Sequence, residues 1–228
     1  MNAQAAAVLV AGGQGKRFGG KVRKQYLALS GRPILWWTAK AFDRSPSIGE
    51  IILVVPREDV ASVERQFNRH KLRKPLKVVA GGSTRAESVR RGLAAAAYSY
   101  RWIAVHDGVR PLVTPQLIER VLSEARAHRA AIAACPSQDT VKLAGRNNMI
   151  ARTLPRETVW LAQTPQAFDR ALLERAHRNG SKFAATDDAY LVEKLGVRVK
   201  LVASPPDNLK VTVPSDLEIA KKLIKRRA

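Results

Sequence analysis

The chain has 228 residues and is 46% hydrophobic, which is enough for one large domain or two small ones with a sizeable core. Its 40 lysines and arginines outnumber its 19 acidic residues and give a formal charge of +21, so nucleic-acid binding has to be considered. There is no apolar run of membrane-spanning length, no secretory signal pattern and only one cysteine, Cys135, so we expect a cytoplasmic protein without intramolecular disulfides.

The basic residues are spread along the chain, with denser groups at 65–74 and 221–227. The sequence has no zinc-finger spacing, no aromatic RNA-recognition motif and no basic leucine-zipper pattern. We therefore expect no specific nucleic-acid partner and no membrane partner. A basic nucleic-acid-binding protein on an α/β scaffold is kept as an alternative of a different class.

In chain order, buried strands alternate with helices. Nearly continuous apolar runs predict strands covered on both faces at 6–10, 51–55, 76–80, 102–106 and 131–135. Proline and capping signals predict helices at 33–42, after Thr84, from Thr114 to about residue 128, and after Ser215. This alternation is typical of a Rossmann-like, mostly parallel α/β sheet flanked by helices, in one domain over residues 1–228.

Residues 139–156, which we call the arm, interrupt the alternation. Two short β-like runs flank the sequence GRNN at 145–148, which predicts a β-hairpin that projects from the domain. A lone hairpin is only marginally stable in water. We therefore expect the arm to pack against another surface, for which a second subunit is a natural candidate.

The first predicted strand continues into a glycine-rich loop that carries five basic residues: Lys16, Arg17, Lys21, Arg23 and Lys24. Glycines let backbone N–H groups approach a phosphate, and the cations would neutralise it. The loop is not a P-loop, because Arg17 stands where Ser or Thr is required. It is not a dinucleotide fingerprint either, because Phe18 replaces the third glycine. An ordinary solvated basic loop is the alternative interpretation.

Polar segments follow the other predicted strands: GGSTRAESV at 81–89, HDGVRP at 106–111 and, late in the chain, PPDNLKVT at 205–212. Ligands bind beyond the carboxyl ends of strands in open α/β sheets, so these segments predict one shared anion site. Asp107 suits a magnesium ligand, because Mg²⁺ prefers carboxylate and phosphate oxygens. A turn or helix-capping aspartate is the alternative.

The sequence lacks a G-x-S-x-G elbow, an H-E-x-x-H motif and cysteine–histidine spacing for zinc. His106 neighbours Asp107, but strand neighbours point to opposite faces, so we interpret His106 as structural. A phosphate monoester is already an anionic nucleophile and needs no general base. Lysine, arginine and Mg²⁺ would then suffice to hold the reactants together and stabilise the developing charge.

Six segments occur in order: AGGQGKRFGG…KQY, GGSTRAESV, VHDGVRP, TPQAF, TDDA and DNLKVT. Together they resemble the 2-C-methyl-D-erythritol 4-phosphate cytidylyltransferases of the non-mevalonate isoprenoid pathway, over essentially the whole chain. The resemblance implies transfer of CMP from CTP to 2-C-methyl-D-erythritol 4-phosphate, with release of pyrophosphate. The nearest alternative is a ribitol-5-phosphate cytidylyltransferase. Val10 and Arg23 depart from the family pattern, which usually has proline at both places.

The resemblance also implies roles for individual residues. Those implied in catalysis are Arg17, Lys24 and Lys210. Those implied in binding the nucleotide are Ala11, Gly12, Gly13, Gly15, Gly82, Ser83, Arg85, Ser88, Asp107 and Gly108. Those implied in binding the polyol phosphate are Arg110, Thr140, Arg156, Thr164, Thr186 and Asp207. Asp107 would also hold Mg²⁺ or another divalent cation, and the arm would bring Arg156 into the partner subunit's site.

Overall fold

A computed structural model describes residues 4–13, 18, 22–70, 72–180 and 185–226. Its strands are β1 (Ala5–Val10), β2 (Ala28–Leu29), β3 (Arg32–Pro33), β4 (Ile48–Val55), β5 (Leu76–Ala80), β6 (Trp102–Asp107), β7 (Ala130–Pro136), β8 (Lys142–Ala144), β9 (Ile150–Thr153), β10 (Trp160–Asp169) and β11 (Lys200–Ala203). Its helices are α1 (Ile34–Arg44), α2 (Val60–Arg69), α3 (Arg85–Ala95), α4 (Pro115–His128), α5 (Arg170–Asn179), α6 (Asp188–Glu193) and α7 (Pro214–Lys225). Within the described residues, none of these helices is long and apolar enough to cross a bilayer.

The central sheet has seven strands in the order β11-β7-β10-β6-β1-β4-β5. Only β10 runs antiparallel to its neighbours, so the predicted mostly parallel sheet is confirmed. From β1 the chain moves outward to β4 and β5 on one side and then returns to β6 on the other side. This reversal leaves a crevice at the carboxyl ends of β1 and β6, where ligands bind in such sheets.

Alternating residues of β1 explain why helices cover both faces of the sheet. Ala5, Ala7 and Leu9 belong to the apolar cluster that includes α1, α2 and α4. Ala6 and Val8 belong to the opposite cluster, with α3, α5 and α6. Successive side chains in a strand point to opposite faces, so a strand buried on both sides must be apolar at every position. The five strands predicted from continuous apolar runs are confirmed as β1, β4, β5, β6 and β7. The prediction that both faces are covered is wrong for β5, which lies at the edge of the sheet and has no buried residue.

Strand β10 is absent from the prediction. Its residues include Gln163, Thr164 and Pro165, which obscure the apolar pattern, and a proline argues against a central strand. The register of β10 with β7 shifts between Ala162 and Gln166. Pro165 lies in this irregular segment, where a missing N–H removes no ladder hydrogen bond.

Helix starts confirm two of the predicted caps and correct a third. The Thr84 and Thr114 hydroxyls accept hydrogen bonds from the third residue of their helices, at 3.1 and 3.2 Å. The prediction that Ser215 opens the last helix is wrong. The helix begins at Pro214, and the Asp216 carboxylate accepts from the N–H groups of Thr212 and Val213 at 2.7 and 2.9 Å. Ser215 already lies inside the first turn, so its hydroxyl cannot cap that turn.

The predicted hairpin in the arm is confirmed. Strands β8 and β9 pair antiparallel, and the turn between them contains Asn147 and Asn148 with φ angles of 55° and 57°. Asparagine tolerates this left-handed conformation better than most residues. Every residue of both strands is exposed, so the arm has no core of its own within this chain.

Candidate active site

A cavity of about 630 Å³ opens at the carboxyl ends of β1, β5 and β6. Four chain segments form its walls together with the start of α3, and Lys210 and Thr212, which precede α7, complete it. The described residues that line it are Val10, Ala11, Gly12, Gly13, Lys24, Gln25, Gly82, Ser83, Thr84, Arg85, Ser88, Asp107, Val109, Lys210 and Thr212. The cavity therefore lies at the crevice where the sheet topology places ligands.

The structure brings many of the predicted site residues to this cavity: Ala11, Gly12, Gly13, Lys24, Gly82, Ser83, Arg85, Ser88, Asp107 and Lys210. Others are outside its lining but close to Asp107 in sequence or by hydrogen bond: Gly108, Arg110 and Thr164. Three lie exposed and outside the lining: Thr140, Arg156 and Thr186. Asp207 is half-buried and also outside it. Gly15 and Arg17 lie outside the described residues.

The glycine turn after β1 is held from two sides. The Gln25 side-chain amide donates to the carbonyls of Ala11 and Gly13, at 2.8 and 3.4 Å. The Gly108 N–H donates to the Val10 carbonyl at 2.8 Å. A Cβ atom at Gly108 would lie 2.9 Å from the Cβ of Ala11, so glycine is required for the loops after β1 and β6 to approach this closely.

The segment after β5 folds around Ser88. The Ser88 hydroxyl accepts from the Gly82 N–H at 3.1 Å and donates to the Thr84 carbonyl at 2.9 Å. The Glu87 carboxylate accepts from the Ser83 N–H at 2.7 Å. These bonds fix the turn that precedes α3, and they leave the helix start facing the cavity. The wall therefore presents backbone N–H and carbonyl groups to the cavity, which suits a nucleotide ligand.

Asp107 lies among three cations at the base of the cavity. Its carboxylate is 3.0 Å from Lys210 Nζ, 3.3 Å from Arg110 Nε and 3.6 Å from Arg85 Nε. Burial opposes ionisation of this carboxyl, but the charges of Lys210, Arg85 and Arg110 outweigh burial and hold its pKa well below the usual range. Asp107 is therefore ionised at neutral pH and keeps these cations at fixed positions.

Arg85 is held between two carboxylates. Its Nη1 donates to Asp188 Oδ2 at 2.7 Å, while its Nε faces Asp107. Asp188 is 1% exposed and also contacts His177 Nε2 at 2.9 Å. Burial lowers the pKa of the Arg85 guanidinium, but the charges of Asp188 and Asp107 outweigh burial and raise it. The guanidinium is thus a fixed positive charge at the cavity wall.

Behind Asp107, a buried hydrogen-bonded chain supports the strand end. The Thr164 hydroxyl accepts from the Asp107 N–H at 3.1 Å and lies 2.9 Å from His106 Nδ1. His106 Nε2 lies 3.3 Å from the Arg110 carbonyl. Burial lowers the pKa of His106 to about 3, so the imidazole is neutral, accepts from Thr164 and donates to Arg110. Its location supports a structural role for His106.

The profile of the 2-C-methyl-D-erythritol 4-phosphate cytidylyltransferase family matches residues 5–226. The chain belongs to this family. It is 44% identical to the enzyme of that name from Pelotomaculum thermopropionicum, over 97% of this chain and 94% of the relative. It is 42% identical to the one from Geobacter metallireducens, over 97% of each chain. The crystal structure of 4-diphosphocytidyl-2C-methyl-D-erythritol synthase from Anaerococcus prevotii superimposes with a TM-score of 0.86 at 30% identity, covering 97% of this chain and 98% of that one.

Several cavity residues of this cytidylyltransferase family member were not predicted from sequence as site residues: Val10, Gln25, Thr84, Val109 and Thr212. Asp188, which holds Arg85, was not predicted either. Asp188 lies in the TDDA segment, so the motif indicated a functional region. The sequence did not indicate that the Asp188 carboxylate binds Arg85. Gln25 lies in the KQY segment, but nothing in the sequence indicates that its amide binds the glycine turn.

Among the described residues that line the cavity, Asp107 is the only acidic one. The described part of the chain contains no group of three or more His, Cys, Asp or Glu side chains that could hold a metal ion. This donor set suits Mg²⁺, which is commonly bound by one or two carboxylates together with substrate phosphates. It does not suit a metal enclosed entirely by protein ligands.

Proposed function

We propose that this protein transfers CMP from CTP to 2-C-methyl-D-erythritol 4-phosphate, giving 4-diphosphocytidyl-2-C-methyl-D-erythritol and pyrophosphate. The observation that carries the proposal is the convergence of Lys24, Arg85 and Lys210 on one cavity around the ionised Asp107. A cavity of this charge suits a triphosphate and a second phosphate ester. Membership of the cytidylyltransferase family supports the same reaction.

In this reaction a phosphate oxygen of the polyol phosphate attacks the α-phosphorus of CTP. The bond from that phosphorus to the bridging oxygen breaks, and pyrophosphate leaves with the electron pair. The attacking phosphate is already anionic, so no side chain has to remove a proton. Lys24 and Lys210 stabilise the charge that grows on the phosphoryl oxygens, which is electrostatic catalysis by positioned cations. His106 is buried and neutral, and it takes no part as a base.

The backbone around Ala11, Gly12, Gly82 and Ser88 surrounds the cytosine in this proposal. Short side chains and fixed turns there leave backbone groups to discriminate between bases. Asp107 would hold Mg²⁺ together with the substrate phosphates, and the metal would neutralise part of the triphosphate charge. Lys210 and Arg110 contact the Asp107 carboxylate at 3.0 and 3.3 Å and would restrict its movement.

We also propose that the arm completes the site of a second subunit. Met149 and Ile150 are 70% and 65% exposed, which is unfavourable for large apolar side chains of a hairpin that stands alone. Thr140 and Arg156 lie at the base of the arm and outside the cavity lining of their own chain. A homodimer would cover the apolar residues and would bring Arg156 to the polyol phosphate of the partner, where its planar fork can contact two phosphate oxygens.

Pyrophosphate release from CTP tests the proposed function directly. The purified protein is given CTP, UTP, ATP or GTP, each with 2-C-methyl-D-erythritol 4-phosphate or with ribitol 5-phosphate, in the presence of Mg²⁺. We expect release only with CTP and the methylerythritol phosphate, with the diphosphocytidyl product identified by mass spectrometry. Preferential release with ribitol 5-phosphate would assign the alternative substrate, and no release in any combination would contradict the proposal.

A further inference from the structure

Lys24 lies in a short 3-10 turn, Lys24–Tyr26, outside the central sheet. It is nevertheless only 9% exposed and lines the cavity. A flexible lysine in such a turn would lose much of its effect as a positioned cation. The contacts that fix this turn therefore bear directly on the chemistry.

The side chains on either side of the Lys24-Gln25 pair reach the same carboxylate oxygen. Arg23 Nη1 donates to Asp59 Oδ2 at 2.5 Å, and the Tyr26 hydroxyl donates to that oxygen at 2.9 Å. Asp59 belongs to a different part of the chain, the turn between β4 and α2. Arg23 also forms an ion pair with the neighbouring Glu58.

We propose that Asp59 is a positioning residue for Lys24. The inference rests on the proposed function, in which Lys24 stabilises charge on the reacting phosphate. Asp59 fixes the turn at both ends, while Gln25 between them binds the glycine turn through Ala11. Misplacing a catalytic group by about 1 Å can cost a hundredfold in rate, so a clamp of this kind affects turnover without contacting substrate.

The two carboxylates that contact Arg23 differ in burial and in the number of hydrogen bonds they accept. The Asp59 side chain is 16% exposed and accepts two hydrogen bonds, whereas the Glu58 side chain is 63% exposed and accepts one. Exposed ion pairs contribute little because solvent screens them and because two long side chains lose entropy. Burial and the hydrogen bond to Asp59 raise the pKa of Tyr26 well above its usual range, so its hydroxyl stays a donor at neutral pH. Glu58 is therefore the matched control.

The test is a double-mutant cycle on kcat for pyrophosphate release. Asp59→Ala, Asp59→Asn and Glu58→Ala are each measured in the wild-type chain and in the Lys24→Ala chain, at saturating CTP. We expect Asp59→Ala to lower kcat about tenfold in the wild-type chain and less than about twofold once Lys24 is absent, because a positioning residue has nothing left to position. Glu58→Ala should change kcat less than about twofold in both.

Thermal unfolding and circular dichroism accompany each variant, and Asp59→Asn replaces Asp59→Ala in the cycle if the alanine variant does not fold. An equal loss of kcat in both backgrounds would show that Asp59 supports the fold in general and would overturn the inference. An effect no larger than that of Glu58→Ala would overturn it as well. If the wild-type protein releases no pyrophosphate, the proposed function fails first, and the two failures are thereby distinguished.

Discussion

The cavity and the arm differ in how their functional side chains are held in place. At the cavity, buried carboxylates already hold the charged side chains: Asp107 is 7% exposed and contacts three cations, and Asp188 is 1% exposed and holds Arg85. On the arm, every strand residue is exposed, and the Arg156 side chain is 57% exposed. The cavity is preorganised within one chain, whereas the arm has no core of its own and packs against a second subunit only in the proposed dimer.

This difference separates two kinds of arginine. Arg85 is fixed by two carboxylates, so it presents its charge without reorganising when the ligand binds. Arg156 has a hydrogen bond of 3.4 Å to the Gln138 carbonyl and a 3.8 Å contact with Glu157, both at an exposed surface. Exposed pairs are weak, so Arg156 can change partners at little cost when a phosphate or a second subunit approaches.

Replacing Lys24 by alanine tests the cavity side of the comparison most strongly. If Lys24 meets charge that develops in the transition state, kcat should fall about a hundredfold or more, while the KM for CTP changes much less. Steady-state pyrophosphate release measures both constants. Lys222→Ala, on the exposed face of α7, is the matched control and should leave kcat unchanged. An unchanged kcat with only a raised KM would contradict a catalytic role for Lys24.

Asp107→Asn keeps the size of the side chain and removes its charge. We expect the affinity for the metal in the presence of CTP to weaken at least about tenfold, because the loss of even a residue that supports a metal ligand typically costs that much. Mn²⁺ electron paramagnetic resonance measures this affinity. Activity should collapse at limiting Mg²⁺ and recover only partly when Mg²⁺ is raised. Thermal unfolding is recorded in parallel, because Lys210, Arg110 and Arg85 lose a shared counter-ion. A wild-type metal titration would place the metal ligand elsewhere.

A mixed dimer tests whether the two regions act together. Arg156→Ala and Lys24→Ala chains are unfolded and refolded together. If each site combines a cavity with the partner's arm, a mixed dimer has one site with both lesions and one with neither. Random pairing makes about half of the dimers mixed, so about a quarter of wild-type activity should return in a symmetric dimer.

Two differently tagged chains verify that mixed dimers form, and refolded single variants serve as controls. Near-zero activity in verified mixed dimers would contradict a shared site. An Arg156→Ala chain whose own site still worked would leave each mixed dimer half active, so Arg156 would then act on the site or the fold of its own chain.

The cavity and the arm also differ in which sequence signals predicted them. The strands that carry the cavity were predicted because a strand covered on both faces must be apolar throughout, as in 51–55 and 102–106. The segments that follow those strands were predicted to converge because parallel strands end at one edge. The arm was predicted from its turn residues, since a hairpin is specified locally.

The sequence could not predict contacts that depend on tertiary packing. Arg85 and Asp188 are 103 residues apart, and no local pattern indicates that they pair. Strand β10 was missed because polar residues and Pro165 obscure its apolar pattern. The start of α7 was misplaced because Asp216 and Ser215 both offer capping oxygens, and only the backbone geometry selects Asp216.

The smallest expected effect is the change in stability with pH that comes from protonation of the buried His106. Burial lowers the pKa of His106 from 6.5 to about 3, so between these values the unfolded chain binds one more proton than the folded chain. The contribution of His106 to stability is therefore complete above pH 6.5 and is lost as the pH falls towards 3. Between pH 7 and pH 5 this loss is about 2 kcal/mol. Urea unfolding of the wild-type protein and of His106→Gln, at one protein concentration and at several pH values, measures it. Groups common to both proteins cancel in the difference, so the variant should show the shallower dependence of the two. Identical slopes would mean that His106 titrates in the folded protein much as it does in the unfolded chain, and the cavity edge would then be as open to water as the arm.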